Sequence, residues 1–107
     1  GASLRAAAKP PFETAEIAPA NAWLRSAREG YCATTQDGSG CPPGSDRGAF
    51  TLDEETAASW TSAAARCLQL CGGCEGCRLV SISLHNRDCS WHRACGQLLT
   101  EPHGYRT

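Results

Sequence analysis

The sequence has few of the large apolar residues from which small proteins build a hydrophobic core. Its 107 residues include no Met, two Phe, two Tyr and three Trp, and much of the 41% hydrophobic fraction is Ala and Cys, which bury little area each. A chain of this length has room for one small domain and buries a modest share of its surface, so burial alone leaves it marginally stable. A further source of stability is therefore expected.

Two other absences exclude classes of function. No apolar run approaches the roughly 20 residues that a membrane-spanning helix needs. The net charge is −1, and the basic residues, Lys9 and nine Arg, are interleaved with acidic ones, which leaves no basic patch for nucleic acid. We therefore expect neither a membrane span nor a nucleic-acid partner.

What the sequence has instead is eight cysteines, an even number that predicts a disulfide framework. Each disulfide typically contributes about 2–4 kcal/mol to stability. Disulfides persist at the cell exterior, in secretory compartments and in oxidising organelle lumens, and are rare in cytosol. We predict such a compartment. The chain begins without Met or a signal-like apolar segment, so residue 1 is expected either to follow a removed targeting segment or to mark an arbitrary boundary.

The positions of the cysteines divide the chain into three parts. Residues 1–31 contain none and form an N-terminal arm. Residues 32–48 form a loop of turn residues in which Cys32 and Cys41 lie, and residues 49–107 hold the other six cysteines and a short tail. The loop lacks a Lys and the spacing of a phosphate-binding loop, so we interpret it as structural.

The arm is predicted to be extended, because Pro10, Pro11 and Pro19 break regular structure. Asn21 is suited to cap a short helix through Arg28. A disordered terminus is the alternative, but such segments usually lack apolar anchors. We therefore predict a partner-binding arm whose contacts are four apolar residues: Phe12, Ile17, Trp23 and Leu24.

A helix is predicted from Ser59 to Cys71, where apolar residues recur at the helical period and place Trp60 on the inner face; Gly72 and Gly73 then stop it. Residues 49–52 are either a short strand or, if Thr51 and Glu54 form a capping box, the approach to a helix.

Two further strands are predicted from alternation. Residues 79–84 place Val, Ile and Leu on one side and Leu and Ser on the other, which indicates a half-buried strand. After a turn at residues 85–88, Cys89 to Cys95 alternates again, with Trp91 expected in the core. The sequence therefore predicts a small α+β fold, in which one helix packs on a short antiparallel sheet.

Two cysteines on the predicted helix indicate how the helix is attached to the sheet. Cys67 and Cys71 are one turn apart, so they lie on the same side of the helix with Cβ atoms about 5–6 Å apart, too far for a bridge between them. We expect each to pair elsewhere, and the sheet beneath is the available surface.

The spacing Cys67-x3-Cys71-x5-Cys77, the strand Arg-Leu-Val-Ser-Ile-Ser and then x5-Cys89-Ser-Trp resemble the core of PAN/apple domains over about residues 48–95. The resemblance implies the disulfides Cys67–Cys89 and Cys71–Cys77. The outer disulfide that is usual in that family has no clear counterpart here. The four cysteines left over are paired by elimination as Cys74–Cys95 and Cys32–Cys41.

A narrower resemblance is to a cysteine-rich module of dinoflagellate algae. It is carried by Ser-Trp-x-x-Ala-Ala-x-Arg-Cys-x-x-x-Cys-x-x-Cys-x-x-Cys from Ser59, then Val-Ser-x-Ser and Asp-Cys-Ser-Trp. That resemblance implies an accessory subunit on the lumenal side of an algal photosystem–light-harvesting complex, located in the thylakoid lumen and held by protein partners in a membrane-associated assembly.

Three chemical alternatives compete with a purely structural role for the cysteines and histidines. Cys74 and Cys77 form a CxxC motif, and other cysteines with His85 or His92 would supply the remaining ligands of a zinc site. A zinc ion takes four ligands, however, so several of the eight thiols would be left without a partner. No βαβ pattern precedes that CxxC, which argues against a redox pair. The two histidines, near Asp88, are expected to be exposed surface residues, not acid–base groups.

These observations predict a protein without catalytic residues, metal or other cofactor. The first hypothesis is a non-catalytic protein-binding module that acts as an accessory or scaffold subunit. The second is a secreted adhesion or carbohydrate-binding module, a common use of PAN/apple domains. The third is a zinc-binding or redox protein. Of the three tryptophans, only Trp23 has no obvious place inside the fold.

Overall fold

The α+β fold predicted from the sequence is present in the computed structural model, which describes residues 14–101 and 103–107. Two helices pack on a four-stranded antiparallel sheet with the strand order β1-β3-β2-β4. The elements, in chain order, are α1 (Thr14–Ser26), β1 (Arg47–Thr51), a 3₁₀ helix (Thr56–Ala58), α2 (Trp60–Gly72), β2 (Leu79–Ser83), β3 (Asp88–His92) and β4 (Tyr105–Arg106).

Helix α2 begins and ends close to the predicted residues. Ser59 has extended backbone geometry and its side chain accepts a hydrogen bond from the Ser62 amide, which satisfies one free donor of the first turn. Gly73 ends the helix. The buried side chains of α2 are small, three consecutive Ala at positions 63–65 and Cys67, so the neighbouring elements pack close to its backbone.

One face of the sheet forms the hydrophobic core with the helices. Val80, Ile82, Cys89 and Trp91 are buried there, and the Trp91 indole N–H donates to the Gly40 carbonyl at 2.8 Å. Gly48 lies in contact with this indole: a Cβ at this position would overlap both the ring and the Gly40 carbonyl oxygen. Residues 49–51 of the ambiguous segment belong to strand β1, which ends at Thr51, and the N-cap of the following 3₁₀ helix is Glu55, so the capping-box alternative is wrong.

The opposite face of the sheet is polar and also covered. Ser81 and Ser83 are completely buried, although alternation predicted a half-buried strand. The Ser81 hydroxyl lies 2.8 Å from Thr107 Oγ1 and accepts from the Cys32 amide, and Thr107 Oγ1 in turn donates to the Gly30 carbonyl. Small hydroxyl side chains therefore let the backbone of residues 32–35 cross directly over this face of the sheet.

The residues just before this segment, 28–31, extend the edge of the sheet. Arg28 and Thr107 exchange backbone hydrogen bonds of 2.9 and 2.8 Å, and Tyr31 and Leu99 do the same. The end of the predicted arm is thus paired with the C-terminal strand. Short-range patterns do not reveal a pairing between residues this far apart in sequence.

The described part of the predicted arm differs from expectation. From Thr14 to Ser26 the chain is a helix that runs through Pro19, not an extended segment, and Asn21 lies inside it. This helix packs against α2: Ala20 is completely buried, and the Gln69 side chain of α2 donates a hydrogen bond to Glu16 at 2.6 Å. Tertiary packing here outweighs the local cost of a proline within a helix.

All eight cysteines form disulfides, and two of the four predicted pairs are confirmed. Cys67–Cys89 joins α2 to β3, and Cys71–Cys77 joins α2 to the loop before β2. The pairs Cys32–Cys41 and Cys74–Cys95 are wrong: the structure has Cys32–Cys95 and Cys41–Cys74, with Cα atoms 5.2 and 5.9 Å apart. Elimination paired cysteines near in sequence, whereas the fold brings together cysteines on crossing segments.

The disulfides should contribute unequally to stability. Cys67–Cys89 spans 22 residues between completely buried side chains, whereas Cys71–Cys77 spans 6. We expect the double variant Cys67→Ala/Cys89→Ala to lose about 3 kcal/mol of unfolding free energy, and Cys71→Ala/Cys77→Ala about 2 kcal/mol, because a shorter loop restricts the unfolded chain less. Urea unfolding of both variants measures the difference; equal losses, or the reverse order, would contradict it.

Candidate functional site

An open groove lies on the polar side of the sheet, beside the segment that crosses it. Its volume is about 350 Å³. Its main lining side chains are Tyr31, Thr35, Asp37, Asp88, Ser90 and Tyr105. We call it the Tyr31–Asp88 groove.

Strand alternation and register build the floor of the groove. Asp88 and Ser90 are two residues apart on β3, so they lie on the same face, and their β2 partners are Ser83 and Ser81. Tyr105 pairs with Ser83 from the other side. Antiparallel partners share a face, so the sheet brings Tyr105 next to Asp88.

The floor is a connected hydrogen-bond network. Asp88 Oδ2 accepts from Ser90 Oγ at 2.6 Å and from the Tyr105 hydroxyl at 2.8 Å. Because the single Ser90 proton is used in that contact, the Thr35 hydroxyl, 2.6 Å away, donates to Ser90 Oγ. Three hydroxyl groups are thereby held in fixed orientations around one carboxylate.

Two tyrosine rings form one wall. Tyr31 and Tyr105 have ring centroids 5.1 Å apart and planes tilted by 50°, within the usual geometry of aromatic pairs. Both hydroxyls are anchored, Tyr31 to the Glu101 carbonyl and Tyr105 to Asp88. The rings are therefore fixed by contacts at their outer ends.

The groove is acidic. Burial raises the pKa of Asp88 above its ordinary value, the hydrogen bonds from Ser90 and Tyr105 oppose that rise, and the charge of Asp37 adds to it. Burial and the bond to Asp88 raise the pKa of Tyr105 to about 12. None of the lining residues is basic.

Strand β3 carries Asp88, Ser90 and His92 on one face, the residue types of a hydrolytic triad, but they are not connected as one. Ser90 bonds to Asp88 and Thr35, while His92 Nε2 is buried and has no hydrogen-bond partner among the described residues. The prediction of an exposed histidine is wrong for His92, which is 2% exposed because it lies in the central strand; His85, in the turn, is exposed as predicted.

The predicted partner-binding residues lie elsewhere. Phe12 is outside the described residues, and Ile17, Trp23 and Leu24 are half-buried on α1 against the core, which gives Trp23 the internal place it lacked in the sequence. Trp91 is fully buried as expected, and Trp60 is half-buried with the Arg106 guanidinium 4.3 Å above its ring. Asp53, in the acidic run before the 3₁₀ helix, accepts from the Thr56 amide.

Sequence reasoning missed Tyr31 and Tyr105, which come from opposite ends of the described chain. The one local signal for the groove was the alternation of Asp88 and Ser90 on a strand whose other face is apolar. Polar residues at alternate positions usually indicate a face exposed to water, so the signal marked a polar face but not that another segment would cover it.

Comparison with models of known protein families, with curated proteins and with solved structures finds no match. Among the described residues, no helix has the length and apolar character that crossing a membrane requires.

The buried carboxylate should reduce stability at neutral pH. Burial favours protonated Asp88, so its folded pKa exceeds the unfolded one, and the stability it contributes at low pH is lost as pH rises through the folded value. Asp88→Asn keeps an acceptor for Ser90 and Tyr105 but cannot ionise. We expect Asp88→Asn to have a higher melting temperature than wild type at pH 7. Below about pH 3, under the pKa of an unfolded Asp, the wild-type carboxyl is also neutral and the two proteins should not differ.

Calorimetry at both pH values measures this effect, with Asp46→Asn as the control, since it makes the same change at an exposed carboxylate. A melting temperature of Asp88→Asn below that of wild type at pH 7 would show that the charged form stabilises the fold.

His92 should make stability fall on mild acidification. Burial first, and then the charge of Arg47, lower the pKa of His92, with Asp46 opposing. The unfolded state then binds more protons below about pH 6.5, so stability is full above that pH and decreases beneath it. His92→Gln should flatten the melting temperature between pH 7 and 5.5, whereas His85→Gln, at an exposed position, should keep the wild-type slope. An unchanged slope in His92→Gln would contradict the assignment.

Proposed function

We propose that the chain is a non-catalytic, disulfide-stabilised module that binds a protein partner through the Tyr31–Asp88 groove. Its four disulfides point to an oxidising, non-cytosolic compartment or to secretion. The observation that carries the proposal is the groove itself, an open surface site whose tyrosine, serine and threonine hydroxyls on the floor and wall are held by hydrogen bonds within the protein.

The groove is built to bind with little rearrangement. Its floor belongs to a sheet that Cys67–Cys89 fastens to a helix, and the segment that bears its outer wall is fastened by Cys32–Cys95. The ring and hydroxyl positions are fixed by hydrogen bonds within the protein. These side chains are ordered before a partner binds, so binding loses little further side-chain entropy, which favours affinity.

The hydrogen bonding supports recognition over catalysis. The Ser90 hydroxyl donates to a carboxylate that also holds Tyr105, and His92 makes no bond to Ser90. The histidine that would complete a Ser-His-Asp triad is therefore not connected to this serine. In this groove, the carboxylate and hydroxyls orient one another.

At a finer level, we propose that the protein is a PAN/apple-like accessory subunit of a larger assembly, on the lumenal side of an algal photosystem–light-harvesting complex. The support is the cysteine and Ser-Trp motifs, together with the confirmed pairs Cys67–Cys89 and Cys71–Cys77 that the resemblance implied. Contact of a partner with Phe12, Ile17, Trp23 and Leu24 stays a prediction; the last three, which lie on α1, do not line the groove.

A secreted carbohydrate-binding module is the second candidate. It is favoured by one observation: the groove combines tyrosine rings with carboxylate and hydroxyl groups, which also suit sugar rings and their hydroxyls. Organelle fractionation distinguishes the two, because the first predicts the protein in thylakoid lumen or its membrane complexes and the second predicts it in the medium.

Site-specific photo-cross-linking tests partner binding. The full chain would carry a benzophenone amino acid at Thr34, an exposed residue at the groove, or at Glu75, an exposed control in the loop after α2. We expect irradiation in the native source cells to join one protein to position 34 and not to position 75. A native protein that sediments as an 11.3 kDa monomer and forms no cross-link from either position would overturn the proposal.

A further inference from the structure

The carboxylate at the floor of the groove is only half satisfied. Asp88 is 8% exposed, and both hydrogen bonds that it accepts within the described residues go to Oδ2. Oδ1 accepts none of the hydrogen bonds in that part of the protein, and Asp88 lines the groove. Among the described residues the fully buried polar side-chain atom without a partner is His92 Nε2, so Asp88 Oδ1 is accessible from the groove, where a donor from outside the chain can pair with it.

The surroundings of Oδ1 specify a positively charged donor. A buried carboxylate is costly unless a cation pairs with it, and the lining residues supply a second carboxylate, Asp37, and no basic side chain. Beside them, Tyr31 and Tyr105 present aromatic rings, which attract cations through their faces. A neutral sugar would donate a hydrogen bond but would leave both carboxylates without a counter-charge.

We propose that the Tyr31–Asp88 groove binds the ammonium group of a lysine side chain on the partner protein. The inference rests on the proposed function and names the group that the groove recognises. The ammonium donates to Asp88 Oδ1 and faces Asp37, while the aliphatic stem of the lysine lies along the tyrosine rings.

The geometry favours lysine over arginine. A guanidinium binds a carboxylate best through two parallel hydrogen bonds, one to each oxygen. Ser90 and Tyr105 occupy Oδ2, so Asp88 offers a single oxygen. An ammonium is a compact charge with three donors, and it can use one oxygen of Asp88 together with Asp37.

Peptide titration tests the chemistry of the site. The probe is the peptide acetyl-Gly-Gly-Lys-Gly-Gly-amide, followed by amide shifts of the full, oxidised chain in ¹H–¹⁵N spectra. We expect saturable shifts at residues 31–37, 88–90 and 105. The peptide with N-acetyl-lysine should not bind, and the arginine peptide should bind more weakly.

Two variants remove the carboxylates one at a time. Asp88→Asn should weaken binding of the lysine peptide by about tenfold or more, the loss expected for a charge-assisted hydrogen bond. Asp37→Asn, at an exposed residue that the fold does not need, should weaken it by a smaller factor. Asp46→Asn is the matched control and should bind as wild type does. Equal binding of lysine and acetyl-lysine peptides, or unchanged binding by both Asp88→Asn and Asp37→Asn, would overturn the inference, as would chitobiose binding at the groove where the lysine peptide does not.

A repeat of the cross-linking separates this inference from the proposed function. If a lysine occupies the groove, Asp88→Asn should lower the yield of the cross-link from position 34 in proportion to the weaker binding, and Asp46→Asn should keep the wild-type yield. An unchanged yield in Asp88→Asn would leave partner binding intact and show the lysine assignment to be wrong. Binding of the lysine peptide without any cross-link in cells would show an amine site and overturn the protein-partner proposal.

Discussion

The disulfide between Cys67 and Cys89 joins the middle of helix α2 to the central strand of the sheet, where both side chains are completely buried. The chain needs this covalent link because the helix face that meets the core is mostly alanine, which buries little apolar area. The same small residues let α1 and the sheet approach α2 closely. Covalent links and close backbone packing thus take the place of a core of large side chains, and the sheet that they hold is the floor of the groove.

A sheet held in this way has a second face that is free to be polar. β3 buries every one of its five residues, yet its two faces differ: Cys89 and Trp91 contact the apolar core, while Asp88 and Ser90 face a segment of backbone and tyrosine side chains. Burial of an acid beside hydroxyl groups reduces stability unless something compensates for its charge. The groove is where the fold retains such a group, and the disulfides provide stability that allows it.

What the sequence predicts and what it leaves open follow from how far apart the interacting residues are. Helix α2 and strands β2 and β3 lie within one stretch of chain, where period and caps specify them. The pairs Cys67–Cys89 and Cys71–Cys77 lie in the same stretch and are implied by its resemblance to PAN/apple domains. Helix α1, the pairs Cys32–Cys95 and Cys41–Cys74 and the aromatic wall of the groove join distant segments. No local pattern states that Tyr31 meets Tyr105 or that Pro19 lies in a helix, because tertiary contacts decide both. For the same reason the polar residue His92 is buried: it lies on β3, which has a neighbouring strand on each side.

The pairing of residues 28–31 with the C-terminal end of the chain has a consequence for the order of folding. Closing a long loop costs more entropy than closing a short one, so contacts between distant segments form after local ones. Helix α2 and the β2–β3 hairpin, with bridges that span 6 and 22 residues, are local; Cys32–Cys95 spans 63. We therefore expect the groove wall to assemble last, and a chain that lacks the Cys32–Cys95 disulfide to keep the core while the wall of the groove is not held in place.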